Sequence, residues 1–116
     1  MSSPDQPYCP DEGDYIWLTF DPQAGREQAG RRPALVLTPK RYNAVTRLCI
    51  LCPATSKVKG YPFEVVAHIK ETAGSVILAD HVKSVSWTER NAAFIAAAPP
   101  EVLAEVRAKL RALLQV

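Results

Sequence analysis

The chain has 116 residues, 47% of them hydrophobic and 22% charged, with a formal net charge of +2. That balance is one of a single globular domain and excludes a largely disordered chain, which needs low hydrophobicity or high net charge. No stretch approaches the roughly 18 uncharged apolar residues of a membrane helix, and Met1-Ser2-Ser3-Pro4-Asp5 has neither the basic start nor the apolar run of a signal peptide. The expectation is a soluble cytoplasmic protein with no membrane contact.

In chain order, residues 1–10 read as a Pro- and Asp-rich flexible tail and residues 11–116 as one domain. Gly13-Asp14 is turn chemistry, and Tyr15-Ile16-Trp17-Leu18-Thr19-Phe20, rich in aromatic and β-branched residues, predicts a strand. Asp21-Pro22 breaks it and opens a polar loop to Arg32. Pro33 to Thr38 is a second strand candidate, closed by Pro39. Further strands are expected over 48–53, 63–67 and 75–79, with a weaker alternating one at 82–87. Short strands separated by turn signals suggest a small antiparallel barrel or paired sheets rather than a parallel α/β fold. After Pro99-Pro100, Val102, Leu103, Val106, Leu110, Leu113 and Leu114 recur at helical spacing, which predicts a helix over about 101–115. Glu101 in its first turn and Arg111 near its end suit the helix dipole, and Glu105 can pair with Lys109.

The cysteines, Cys9, Cys49 and Cys52, are odd in number, as suits a reducing compartment. Cys49 and Cys52 form a CxxC, but inside a predicted strand residues three apart point to opposite faces. The two sulfurs are therefore expected in the core, neither bridged nor holding zinc.

Charge is divided along the chain. Residues 1–25 sum to −5, residues 26–59 to +7, and residues 60–116 cancel. The middle third is a candidate footprint for a polyanion, set against the plainer reading of solvated loop charges. Two segments there are chemically dense. Gly25-Arg26-Glu27-Gln28-Ala29-Gly30-Arg31-Arg32-Pro33 offers a carboxylate, an amide and three guanidiniums, of which Arg32, at the start of a strand, is expected to be the best fixed. Pro53-Ala54-Thr55-Ser56-Lys57-Val58-Lys59-Gly60 brings hydroxyls off an apolar strand to meet two lysines. Such groups are the donors that hold phosphates. His68 is expected at a solvent-facing strand end and His81 as a hydrogen-bonded structural histidine.

At these segments the chain resembles the MazF/PemK-type toxins. The resemblance is carried by Gly13-Asp14-Tyr15-Ile16-Trp17, Phe20-Asp21-Pro22, Glu27-Gln28-Ala29-Gly30, Arg32-Pro33-Ala34, Tyr42-Asn43, Pro53 with Thr55, Lys59-Gly60-Tyr61-Pro62-Phe63-Glu64-Val65, Leu78-Ala79-Asp80, Val82-Lys83-Ser84 and Trp87. It runs in register over roughly residues 8–115. It implies a mainly β fold, a small twisted SH3-like antiparallel barrel with a C-terminal helix. It also implies a homodimeric toxin of a type II toxin–antitoxin pair, a metal-independent, sequence-specific endoribonuclease. Such an enzyme cuts single-stranded RNA, chiefly mRNA, to 2′,3′-cyclic phosphate and 5′-hydroxyl ends, and a MazE-like antitoxin covers the RNA-binding surface. No metal and no cofactor are expected.

Carried over by motif, Arg32 and Thr55 are the catalytic pair and Glu27 the loop carboxylate. Gln28, Arg31, Ser56, Lys57, Lys59 and Lys83 are assigned to substrate. The tyrosines and Trp17 are candidates to stack on bases, although Trp17 and Trp87 are expected chiefly in the core. Two positions depart from the pattern: Arg31 stands where relatives can carry histidine, and His81 where glutamine is common. The alternatives are a CcdB-type toxin that binds DNA gyrase without nuclease chemistry, against which the Arg32–Thr55 pair argues, and a non-catalytic member that only binds RNA or a partner.

Overall fold

The computed structural model describes residues 8–20 and 30–116. Its elements are β1 (Asp14–Phe20), β2 (Gly30–Val36), α1 (Lys40–Thr46), β3 (Leu48–Thr55), β4 (Glu64–Val66), β5 (Val76–Leu78), β6 (Lys83–Ser86), β7 (Ala93–Ala97) and α2 (Pro100–Leu114). Single 3₁₀ turns lie at Lys70–Thr72 and Ala79–His81. The strands form one antiparallel seven-stranded sheet in the order β4-β5-β3-β2-β1-β7, with β6 on β3. β3 forks: its first half pairs with β6 (Cys49 opposite Val85) and its end with β5 (Ala54 opposite Ile77). The expected mainly β (α+β) architecture with a C-terminal helix is present. The sheet does not close as a barrel among the described residues, because β4 and β7 end the order without pairing with each other.

The alternation of side chains along a strand splits the core in two. On one face Tyr15, Leu35, Cys52, Ala54 and Ile77 pack with Val102, Val106 and Leu110 of α2. On the other, Ile16, Leu18, Ala34, Val36, Cys49, Leu51, Val85 and Trp87 form a second cluster. Cys49 and Cys52 thus fall in different clusters, both buried and free, as their spacing in a strand predicts. Burial pushes each thiol up to about 12.

α2 spans Pro100–Leu114, with Glu101 in the first turn, Arg111 in the last, and Glu105 4.0 Å from Lys109. Its buried stripe is Val102, Val106 and Leu110. Leu113 and Leu114, expected on the same face, are exposed. Two elements lie outside the sequence expectations. α1 carries a single buried residue, Asn43, whose amide donates to Pro10 O (2.8 Å) and Thr38 O (3.0 Å), while its own carbonyl accepts from Trp87 Nε1 (3.0 Å). β7 arises from the Ala-rich segment and pairs with β1. The end of the expected tail is also packed: Pro10 is buried and the Tyr8 hydroxyl donates to Asp14.

Candidate active site

The site is built where β2 and β3 run past the second cluster. Val36, Ala34 and Arg32 alternate onto that face along β2, as do Leu51, Pro53 and Thr55 along β3. Ala34 pairs with Pro53, and continuing that register two residues sets Arg32 opposite Thr55. Ile16, Leu18 and Phe20 follow the same rule on β1, and Val85 and Lys83 on β6. One apolar face therefore ends in a polar row, and the half-buried Phe20 is its floor. The Arg32 guanidinium carbon and the Lys83 ammonium each lie 5.3 Å from the Phe20 ring centroid, within cation–π range. Arg32 Nη2 also donates to Ala54 O at 3.3 Å. A guanidinium held through one terminal nitrogen and over a ring keeps other N–H groups for a ligand.

Arg32 and Thr55 line a depression of about 150 Å³ together with Lys57, Lys59, Tyr61, Glu64, Leu78 and His81. The strand β3 runs to Thr55, two residues beyond the expected end at Pro53, because β5 takes up pairing at Ala54 and Thr55. Thr55 is thus part of the sheet and not of a loop, and its Oγ1 accepts the Lys57 N–H at 3.1 Å, bending the chain off the strand. The lysine segment that follows is braced by Glu64, whose two carboxylate oxygens accept the N–H groups of Lys59 and Gly60, each at 2.8 Å. Gly60 has φ +83°, a conformation that suits glycine. The Tyr61 hydroxyl donates to Asp80 Oδ1 at 2.9 Å; partial desolvation and this carboxylate raise its pKa, so the phenol stays protonated. Lys109 of α2 donates to Pro62 O at 2.6 Å and ties the segment's far end to the helix.

A second depression, of about 200 Å³, lies at the same strand ends and is lined by Trp17, Arg31, Arg32, Pro33, Ala54, Thr55, Ser56, Thr72 and Ser75. Trp17 is half-buried there and not in the core, whereas Trp87 is a core residue. Arg31 is committed to the protein: Nη1 donates to Thr19 Oγ1 (2.9 Å) and Nη2 to Asn91 O (2.7 Å).

Of the residues singled out from sequence, Arg32, Thr55, Lys57 and Lys59 share one depression, Lys83 flanks it across Phe20, and Ser56 and Arg31 border the second. Glu27 and Gln28 lie outside the described residues. The basic middle third is not one footprint. Lys40 and Arg41 lie on α1, and Arg47, at its C-cap, sits over the Trp87 ring at 5.8 Å. His68 is exposed, as expected; His81 is not an interior structural histidine but an exposed residue on the cavity wall. Glu64 was visible in the sequence only as part of a motif, since nothing in the spacing shows a carboxylate closing on the backbone five residues back.

A family model for PemK-like, MazF-like toxins of type II toxin–antitoxin systems matches residues 11–114. The chain belongs to the MazF/PemK family of toxins. It is 50% identical to the endoribonuclease toxin MazF of Escherichia coli K12 over 107 residues, 92% of this chain and 96% of that protein. It is 32% identical to the E. coli endoribonuclease PemK, over 85% of this chain and 78% of that one. A solved MazE–MazF complex from Deinococcus radiodurans superposes with a TM-score of 0.84 at 53% identity, covering 94% of this chain and 99% of that one. These relatives place the toxin in the endoribonuclease class. No helix among the described residues is long and apolar enough to cross a membrane.

Proposed function

We propose that this toxin cuts single-stranded RNA, mRNA above all, at specific sequences without a metal, leaving 2′,3′-cyclic phosphate and 5′-hydroxyl ends and so arresting translation and growth. The observation that carries the reading is that Arg32 and Thr55 meet on adjacent strands in one depression whose rim holds Lys57 and Lys59. In this chemistry the 2′-oxygen attacks the neighbouring phosphorus, the P–O5′ bond breaks, and negative charge gathers on the non-bridging oxygens. Arg32, already seated on Phe20, is suited to donate parallel hydrogen bonds to those oxygens, with Thr55 adding a third donor. Its guanidinium keeps its proton, so its role is charge stabilisation. Glu27 takes the 2′-hydroxyl proton.

Lys57, Lys59 and Lys83 hold flanking phosphates, Gln28 reads a base, and Ser56 and Arg31 border the path on the far side. Tyr61 and Trp17 offer rings on which bases stack. The toxin acts as a homodimer in the bacterial cytoplasm, and a MazE-like antitoxin with an acidic tail neutralises it by covering the same cations.

The test is incubation of a long single-stranded RNA with antitoxin-free protein in EDTA, with both new ends mapped chemically. Discrete cuts with cyclic phosphate and 5′-hydroxyl ends are expected. Intact RNA beside folded protein overturns the reading, and a gyrase supercoiling assay then tests the alternative toxin class.

A further inference from the structure

The cations of the middle third that the cavity does not use gather at the other end of the same sheet face. α1 joins the end of β2 to the start of β3, whereas Arg32 lies near the start of β2 and Thr55 closes β3. β3 is eight residues long, so its two ends stand about 23 Å apart at the usual rise per residue. Lys40, Arg41 and Arg47 are exposed on α1 and at its C-cap. No carboxylate among the described residues pairs with them. Asp11 Oδ1 accepts the backbone N–H groups of Glu12 and Lys40, Asp14 accepts from Tyr8, and Glu12 lies 3.6 Å from Arg107. Between Glu27 and Glu64 the chain has no acidic residue. Burial raises the Cys9 thiol's pKa, and Lys40 and Arg47 both oppose that rise, which brings these two cations into one neighbourhood.

The two ends of the face are built alike. Arg32 and Lys83 lie over the Phe20 ring at one end of the second cluster, and Arg47 lies over the Trp87 ring at the other. α1 is pinned there, because its Asn43 carbonyl accepts from Trp87 Nε1. Tyr42, next to Arg41, is 38% exposed, and Phe94, tilted against Tyr8, is 52% exposed. Beside Trp87 a depression of about 320 Å³ runs past Thr88 to Asn91, whose carbonyl Arg31 holds. Cations interleaved with exposed rings suit a nucleic-acid strand, whose phosphates and base faces both find partners there. An acidic polypeptide needs only the cations.

We infer that α1 and the Trp87 end of this face form a second surface for single-stranded RNA, which holds the same strand several nucleotides away from the scissile phosphate. This rests on the reading of the cavity as RNA-cleaving. The surface touches no reacting atom, so it adds affinity for long chains and leaves the chemical step alone. Its contacts go to phosphates and ring faces, so it carries no sequence preference.

The test compares two RNAs with one cleaved sequence, a short one that fills only the cavity and one extended at both ends by unpaired chain. The wild-type protein is expected to show a KM about tenfold lower for the extended RNA at equal kcat, because the second contact is made within one strand. In the triple variant Lys40→Gln, Arg41→Gln, Arg47→Gln that advantage is lost. The salt slope of extended-RNA binding falls by about 2, since each phosphate contact on a single strand contributes about 0.7. The short RNA is expected to be cut by this variant at the wild-type rate, which also shows that it is folded. Tyr42→Ala is expected to raise KM several-fold on the extended RNA alone, as loss of a stacking platform does. Equal KM for both RNAs in the wild type, or equal losses on both in the triple variant, overturns the inference. So does polyglutamate that abolishes the wild-type advantage without slowing the short RNA while Tyr42→Ala has no effect, since the surface then suits an acidic polypeptide. Failure of the wild-type protein to cut either RNA strikes the underlying reading instead.

Discussion

Arg31 and Arg32 are neighbours in sequence and opposites in structure. Arg31 alternates to the face of Leu35 and spends both guanidinium nitrogens on Thr19 and Asn91, tying β2 to β1 and to the turn before β7. Arg32 falls on the other face, over Phe20 and beside Thr55, in the cavity that Lys57 and Lys59 rim. The same charge thus serves as a brace on one face and a ligand-facing group on the other, and the strand's period of two decides which. The two faces of the sheet differ likewise. One is sealed by α2, while the other runs off its apolar cluster into a polar row.

Exchanging the two arginines' fates is the sharpest way to break this comparison. Arg32→Ala is expected to lower the RNA cleavage rate about a hundredfold or more, the cost of losing one oxyanion donor. Arg31→Ala is expected to act mainly on stability, seen as a lower melting temperature with cleavage much less affected. Equal rate losses in the two variants would contradict the division of faces.

The two cores, by contrast, should be equally demanding. Leu35 on the helix side and Leu51 on the other are both 0% exposed. Either one changed to Ala should cost about 2–5 kcal/mol in urea unfolding. A far smaller loss at Leu51 would mean that the second cluster is not a packed core.

The brace on the lysine segment is expected to matter less. Glu64→Gln keeps one acceptor for the Lys59 and Gly60 amides and removes the charge that strengthens both bonds. A several-fold rise in KM with kcat nearly unchanged is expected, because the lysines hold flanking phosphates and not the reacting one. A fall in kcat alone would place Glu64 in the chemistry.

Around neutral pH the buried thiols should show no effect at all. Burial raises the Cys49 and Cys52 pKa values from 9.0 to about 12, so both stay protonated and unreactive toward a disulfide reagent until the protein unfolds. The same shifts, with that of Tyr15 to about 12, carry a sign for stability. The unfolded chain releases these protons at lower pH than the folded one. Stability is therefore full below about 9 and is lost as pH rises toward 12. Rapid labelling of Cys49 or Cys52 in the native protein at neutral pH, as distinct from the partly exposed Cys9, would contradict this.

Much of this architecture was legible in the sequence. The aromatic and β-branched run at 15–20, the apolar runs leading to β2 and β3, and the 3.6-residue stripe of α2 each carry their own periodicity. Arg32 and Thr55 were legible as chemistry because they stand in recognisable motifs, and their meeting follows from register. What was hidden depends on partners. β7 is an Ala-rich segment with little strand propensity that forms because β1 offers an edge. α1 has no apolar stripe and is organised around the single amide of Asn43. Pro53 reads as a strand end, yet β3 continues because β5 supplies a second neighbour. Glu64, Tyr61 and His81 join the cavity through turns and backbone contacts that linear spacing does not encode.

The central claim is that Arg32 and Thr55 act together on one phosphate. It is tested most directly by single-turnover RNA cleavage in EDTA with Arg32→Ala, Thr55→Ala and the double variant. Two donors to the same developing charge should not contribute independently, so the double variant is predicted to lose much less than the product of the single losses. Single losses that multiply, or wild-type cleavage by Arg32→Ala, would contradict the account.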